Sequence, residues 1–177
     1  MTHSTLHDRF LALLDEHKRL VYKVANAYAQ DAADRADLVQ EILAQAWRSF
    51  PRYDARFPFP TWLYRVALNV AISAYRSERR RTRTIAAGDD VLLAIPADES
   101  PAEDERLAEM YACIARLRPV DRAIVLLHLD GHRNGAIGDV LGLSTTNVGT
   151  RLARIRLQLR HDMTDAGLLT PNSLGTE

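Results

Sequence analysis

The sequence predicts an all-α protein of two small helical domains joined by a flexible linker, the second domain containing a helix-turn-helix. Apolar residues recur at helical spacing, as in the stripe Leu38, Ile42, Ala46 and Phe50. Glycine, prolines and acids interrupt this pattern over residues 84–103, which is typical of a linker. We find no convincing segment with the alternation of a strand.

The predicted boundaries follow from these changes in pattern. We expect a first helical domain over 1–83, an acidic flexible linker over 84–103, a second helical domain over 104–163 and a C-terminal tail over 164–177. A chain of 177 residues suits one or two small domains, each near the lower size for a self-sufficient core. Hydrophobic residues make up 47% of the chain, which excludes wholesale disorder.

The charge of the chain is segregated. A formal net charge of +0 at first argues against a nucleic-acid partner. However, arginines cluster at Arg76, Arg79, Arg80, Arg81 and Arg83, whereas acids dominate the segment that follows. Since local fields steer DNA and a whole-chain sum hides them, the arginine cluster remains a candidate phosphate-binding surface.

Several function classes are disfavoured by what the sequence lacks. Cys113 is the only cysteine, so neither an intramolecular disulfide nor a cysteine-rich zinc site can form, and its helical spacing predicts a core position. The sequence has no glycine-rich phosphate loop and no metal-ligand spacing, so we predict no enzyme activity and no cofactor. Without a signal-peptide pattern or an apolar run of membrane-spanning length, we expect a cytoplasmic protein with no membrane insertion.

The second helical region has the pattern of a helix-turn-helix. Pro119 fits the first turn of a helix, and Asn134 is a candidate cap for the short helix that comes next. Gly142 supplies the turn and Ser144 caps a longer helix. Side chains that suit base edges and phosphates are Arg133, Thr145, Thr146, Asn147, Thr150, Arg151, Arg154 and Arg156.

An aromatic loop, PRYDARFPFP, separates two helices of the first region. Tyr53, Phe57 and Phe59 either pack to close the domain edge or form part of a pocket for an unstacked base, and the sequence leaves both readings open. Asn69 carries an amide suited to a base edge. The arginines from Arg76 onward are candidate phosphate contacts.

A family resemblance explains both regions at once. The strings DLVQE from Asp37, AW from Ala46, TWLYRVALN from Thr61, and Arg76 resemble region 2 of a bacterial RNA polymerase sigma factor over about 8–83. The helix-turn-helix over about 105–163 is similar to region 4. The small extracytoplasmic-function type keeps only these two regions. The alternatives are a plain helix-turn-helix regulator, or a sigma-like polymerase-binding regulator without promoter selectivity.

The resemblance implies partners and roles. Core RNA polymerase would be bound by Asp37, Gln40, Glu41, Gln45 and Arg48. The minus-ten promoter element would be bound by Tyr53, Phe57, Phe59, Arg65, Asn69, Arg76, Arg79, Arg80 and Arg81. The helix-turn-helix would read the minus-thirty-five element, with Arg151 as the best candidate for a base contact and Arg154 and Arg156 on phosphates. Promoter DNA and an anti-sigma protein complete the implied partners.

The sequence also departs from the family pattern. Gly135, Ala136 and Gly138 stand where acidic residues are usual, and each interior glycine costs roughly 1 kcal/mol against alanine. Gly149 replaces a usual lysine of the recognition helix, and Ser73 replaces a usual aspartate of region 2. These departures predict altered promoter affinity within the same family.

Overall fold

The computed structural model describes residues 3–29, 31–82 and 101–168, which fall into two compact units, Met1–Asp90 and Val91–Glu177. Regular structure in these ranges is helical throughout, which confirms the all-α class. The predicted linker lies outside the described residues except for its last three, which already belong to a helix that begins at Pro101. The tail beyond residue 168 also lies outside them.

Three helices form the first unit: α1 (His3–Tyr28), α2 (Ala32–Ser49) and α3 (Phe59–Thr82). Each packs against the other two. Asp31 caps α2, its carboxylate accepting a hydrogen bond of 2.8 Å from the backbone N–H of Asp34, so one of the free amides of the first turn is satisfied. A single 3-10 turn, Phe50–Arg52, continues α2 into the aromatic loop.

The core of the first unit is the predicted apolar stripe together with its partners. Leu38, Ile42, Ala46 and Phe50 are all buried, which confirms the stripe. The apolar side of α1 and the inner side of α3 complete this core with Phe10, Val21, Val24, Ala25, Leu63, Tyr64, Ala67, Leu68 and Ala71. Because each helix buries only one side, its opposite side remains available to partners.

Four helices form the second unit: α4 (Pro101–Ala115), α5 (Pro119–Leu129), α6 (Asn134–Leu141) and α7 (Thr145–Asp165). Pro119 occupies the first turn of α5 as expected. The core combines residues of all four helices, namely Ile114, Ile124, Leu127, Ile137, Val148, Leu152 and Ile155. Helices α6 and α7 with the turn between them form the predicted helix-turn-helix.

Of the three predictions about helix ends, those for Gly142 and Ser144 are confirmed and that for Asn134 is wrong. Gly142 follows α6 with φ +69°, the left-handed conformation that glycine adopts without a steric penalty. Ser144 caps α7, its hydroxyl oxygen accepting a bond of 3.2 Å from the Asn147 amide. The prediction for Asn134 is wrong. Arg133 takes the extended cap position without a side-chain bond, and Asn134 is already the first helical residue.

Gly138 has a steric role in the turn of the motif. The Leu143 amide donates to the Gly138 carbonyl at 2.9 Å, so the chain folds back closely on α6. A Cβ atom added at Gly138 would stand 2.5 Å from the Leu143 carbonyl oxygen. The low helix propensity of glycine is therefore only part of the effect of Gly138 on stability, because the tight turn needs the space that glycine leaves.

Arg122 and Cys113 are buried in the second unit. Arg122 donates through Nε to the Leu117 carbonyl oxygen at 2.9 Å and through Nη2 to the carbonyl oxygen of Ala115, satisfying the end of α4. Cys113 is buried, and its burial raises the pKa of the thiol. The predicted core role of this cysteine agrees with that position.

No helix within the described ranges is long and apolar enough to cross a membrane. The same ranges contain no group of histidine, cysteine, aspartate and glutamate side chains that could hold a metal ion.

We predict that Gly138→Ala destabilises the protein although alanine is the better helix former. The added Cβ must displace backbone, so we expect a loss of about 1–3 kcal/mol in the free energy of unfolding, measured by urea titration. Gly135→Ala is the matched control, since its Cβ would meet only Thr145 Oγ1 at 3.9 Å. It should be neutral or stabilising by up to about 1 kcal/mol. Equal effects of the two variants would contradict the steric role.

We also predict that Cys113 resists alkylation in the folded protein. Its raised pKa lowers the thiolate fraction at any pH, and burial denies access to the reagent. Labelling followed by mass spectrometry at pH 8 should be slow without denaturant and fast in strong denaturant. Rapid labelling of the native protein would show that the thiol is accessible.

Candidate nucleic-acid interface

The recognition helix α7 presents polar groups outward from a buried apolar side. Val148, Leu152 and Ile155 face the core. The predicted contacts that are exposed are Arg133, Thr145, Thr146, Asn147, Thr150, Arg154 and Arg156. Most of these lie within the first turns of α7, so the exposed side carries hydroxyl, amide and guanidinium groups of the kinds that bond bases and phosphates.

Arg151 behaves differently from its neighbours. Its Nη1 donates to Asp121 Oδ1 at 2.8 Å, and its Nε donates to Asn147 Oδ1 at 2.8 Å. The Asp121 side chain is 7% exposed and the Arg151 side chain 28%. Both bonds lie within the protein and compete with the base contact predicted for Arg151, which stays a prediction.

Two further side chains of α7 have internal partners. Thr150 donates its hydroxyl hydrogen to the Thr146 carbonyl oxygen at 3.0 Å. Arg156 Nη2 lies 3.2 Å from His128 Nε2 of α5. Arg156 remains exposed and keeps further donors for a phosphate.

A groove of about 540 Å³ lies beside the start of α7. It is lined by His128, Gly131, His132, Arg133, Asn134, Gly135 and Thr145. Sequence reasoning identified Arg133 and Thr145 here but missed the two histidines, which reach the groove from the end of α5 and the loop that follows. The polar lining next to an exposed arginine fits contact with a nucleic-acid backbone.

The aromatic loop of the first unit is held in place by ring packing. Phe59 is 4% exposed and contacts the rings of Phe50, Tyr53 and Trp62, with centroids 5.3–6.2 Å apart. This burial favours the packing interpretation for Phe59, and a contact between its ring and DNA stays a prediction. Phe57, by contrast, is 63% exposed at the loop tip.

Hydrogen bonds add to the rigidity of this loop. The Tyr53 hydroxyl donates to the Phe57 carbonyl oxygen at 2.6 Å, closing the loop on itself. Arg56 donates to the Asp54 carboxylate at 2.6–3.1 Å, and these bonds lower the pKa of Asp54. The Tyr53 bond therefore joins the start of the loop to its tip, whereas the exposed pair of Arg56 and Asp54 adds little.

Helix α3 carries the predicted polar contacts along one side. Arg65, Asn69 and Arg76 are exposed, and their spacing of four and then seven residues places them on one stripe of the helix. The side chains of Arg79, Arg80 and Arg81, at the end of α3, lie outside the described residues.

The polar side of α2 is open and borders an acidic groove. Asp37, Gln40, Glu41 and Arg48 are exposed and Gln45 is half-buried. Asp37 and Glu41 line a groove of about 310 Å³ whose other residues are Tyr28, Ala29, Asp34, Leu38, Ala71, Ala74, Tyr75 and Glu78.

Two acids of this groove were missed by sequence reasoning. Asp34 shares the side of α2 with Asp37 and Glu41, so helical spacing could have found it, whereas Glu78 arrives from α3 with no local signal. Burial raises the pKa of Asp34, and the carboxylates of Asp31, Glu78 and Asp37 raise it further. Crowded carboxylates of this kind favour a positively charged partner.

Comparison with known families assigns the two units. The model for Sigma-70 region 2 matches residues 13–81, and the model for Sigma-70, region 4 matches residues 107–159. The chain belongs to the sigma-70 family of RNA polymerase sigma factors. The family resemblance noted in the sequence is thus confirmed, and the two regions correspond to the two compact units.

The most similar relatives of this sigma-family chain include extracytoplasmic-function members. It is 31% identical over 150 residues to a probable RNA polymerase sigma factor, RfaY, of Xanthomonas campestris pv. campestris, covering 81% of this chain and 37% of that protein. It is 32% identical over 153 residues to the ECF sigma factor SigE of Mycolicibacterium smegmatis, covering 84% and 59%. It is 29% identical over 160 residues to CnrH of Cupriavidus metallidurans, covering 85% and 84%. The chain thus spans less than two thirds of the first two relatives.

Solved structures share the fold. The sigma factor RpoE, in complex with the anti-sigma factor NepR from Bartonella quintana, superposes with a TM-score of 0.71 at 18% identity, covering 89% of this chain and 96% of that one. CnrH in complex with the cytosolic domain of CnrY superposes with a TM-score of 0.63 at 23% identity, covering 90% of both chains.

Proposed function

We propose that the chain is a sigma factor of the extracytoplasmic-function type, which binds core RNA polymerase, recognises promoter DNA and promotes its opening. The observation that carries this proposal is the presence of both sigma regions in one chain. The protein would act in the cytoplasm and make no covalent bond, because the polymerase performs the chemistry.

The polymerase would dock on the polar side of α2 and the acidic groove beside it. Asp34, Asp37, Glu41 and Glu78 place four carboxylates around one groove. Tyr75, which also lines it, adds an aromatic ring. A basic, partly apolar segment of the polymerase would complement this surface in charge and shape.

The α3 stripe and the Phe57 tip would capture the opened minus-ten element. An exposed aromatic ring stacks on any base, an amide bonds a base edge, and arginines neutralise phosphates. The fixed loop reduces the entropy lost on ordering when the strand binds. The helix-turn-helix would place the first turns of α7 in the major groove of the minus-thirty-five element.

Regulation by an anti-sigma protein is part of the proposal. One of the structurally similar sigma factors, RpoE, was solved in complex with an anti-sigma factor, NepR. A plain helix-turn-helix regulator would leave the groove of the first unit without a role, so we favour the sigma factor function.

Transcription by core polymerase reconstituted with this chain tests the proposed function: sequencing of the 5′ ends should give one shared promoter pattern. Starts identical to those of core polymerase alone would refute it.

We predict that Glu41→Lys weakens binding to core polymerase by roughly tenfold or more at ~0.1 M salt, since it reverses a charge in the acidic groove. Asp37→Lys should act in the same direction. Fluorescence titration of labelled protein with core polymerase measures the effect. Glu16→Lys, an exposed acid on α1 outside the groove, is the charge-matched control and should leave affinity within about twofold. Equal losses for both reversals would point to a general charge effect.

We predict that Asn69→Ala impairs open-complex formation more than initial binding to duplex promoter. A premelted promoter should restore most of the lost rate, because the cost of unstacking a base, a few kcal/mol, is already met. Ser77→Ala, an exposed residue of α3 away from the stripe, controls for surface changes on the same helix. Permanganate footprinting over time supplies the measurement. An equal defect on duplex and premelted templates would remove Asn69 from the opening step.

A further inference from the structure

A chain of hydrogen bonds runs from the interior of the second unit to its recognition surface. The buried carboxylate of Asp121 accepts from Arg151 Nη1, and Arg151 Nε donates to Asn147 Oδ1, each at 2.8 Å. Asp121 lies in the first turn of α5, and Asn147 lies in the first turn of α7. Asn147 itself is exposed.

This chain decides which way the Asn147 amide points. A guanidinium has only donors, so the amide atom that meets Arg151 Nε must be the carbonyl oxygen. The ion pair with Asp121 in turn fixes the guanidinium, because breaking it would leave a buried carboxylate unpaired. The NH₂ group of Asn147 is therefore directed away from Arg151.

We propose that Asn147 reads promoter DNA as a hydrogen-bond donor only, and that Asp121 and Arg151 are positioning residues that set this specificity. The proposal rests on the proposed function, in which α7 enters the major groove. An unrestrained asparagine pairs bidentately with adenine, using its oxygen as well as its NH₂ group. Arg151 occupies one of the two lone pairs of that oxygen and holds the amide with its oxygen turned toward the guanidinium. The bidentate pairing needs both amide atoms aimed at one base edge, so it is disfavoured.

The expected base preference follows from the major-groove edges. Guanine offers two acceptors, N7 and O6, and thymine offers O4, so both accept from an NH₂ group. Cytosine presents only its N4 amino donor and would face a second donor. At the base that Asn147 contacts, guanine and thymine should be favoured, adenine should be intermediate and cytosine should be excluded.

The test is a promoter library randomised across the upstream element, transcribed by core polymerase with the full-length chain. For the wild-type protein, one position should disfavour cytosine about tenfold or more against its best base. Asn147→Asp exchanges the donor for an acceptor, so preference at that position should move toward bases with an amino group, cytosine and adenine. Arg151→Ala releases the amide oxygen, so the share of adenine should rise severalfold at the same position.

Further variants separate positioning from folding. Asp121→Asn should give part of the Arg151→Ala shift at the same position, whereas Gln158→Ala, exposed on α7, should give the wild-type pattern. Circular dichroism identifies any variant that fails to fold. If Arg151→Ala fails to fold, the base preference of Asn147→Asp, which leaves the buried ion pair intact, decides whether the proposal holds. A uniform loss of transcription with unchanged base preference would show a merely structural role and overturn the proposal.

The remaining outcomes are equally distinct. A shift at a different base position in Arg151→Ala than in Asn147→Asp would mean that Arg151 reads its own base, and the proposal would fail. It would also fail if wild-type protein preferred cytosine at the position that Asn147→Asp alters, or if that variant altered none. A wild-type protein without any sequence preference would instead overturn the proposed function, and this inference with it.

Discussion

The buried carboxylate of Asp121 is the constraint on which the surface of the second unit depends. A carboxylate this far from water needs a charged partner, and removing one member of such a pair typically costs about 3–5 kcal/mol. Arg151 supplies the partner from α7, which ties the recognition helix to the first turn of α5. The position of Asp121 near the positive end of α5 adds favourable interaction. An interior charge thereby orders groups that face outward.

The first unit orders its surface by apolar packing instead. Rings of Phe50, Tyr53, Phe59 and Trp62 contact one another under the loop, and the loop tip with Phe57 stands above them. Ring pairs of this kind add about 0.5–1.5 kcal/mol beyond the area that they bury. The two units thus use different interactions to the same end, since each small core can bury one side of its helices and must hold the opposite side in a fixed arrangement.

Periodicity and turn chemistry predicted the parts of this fold that are local. The stripe of α2, the left-handed Gly142 and the Ser144 cap are all fixed by residues within a few positions of one another. The failures are long-range. No residue near Asp121 indicates its ion pair, because the partner lies 30 positions away. Likewise, no residue near Glu78 indicates that it shares a groove with α2. Phe59 gave no local sign of whether its ring turned inward or outward.

The difference between local and long-range contacts also changes how the departures from the family pattern are interpreted. As a matter of propensity, Gly135, Gly138 and Gly149 all weaken their helices. In three dimensions they differ: an added Cβ meets backbone oxygen at 2.5 Å at Gly138, a side-chain amide at 3.4 Å at Gly149, and only a hydroxyl at 3.9 Å at Gly135. Gly138 is thus a packing requirement of the turn, whereas Gly135 is a true loss of helix stability. At Gly149 the added Cβ would make an ordinary van der Waals contact with the end of the Asn134 side chain, so packing does not require glycine there.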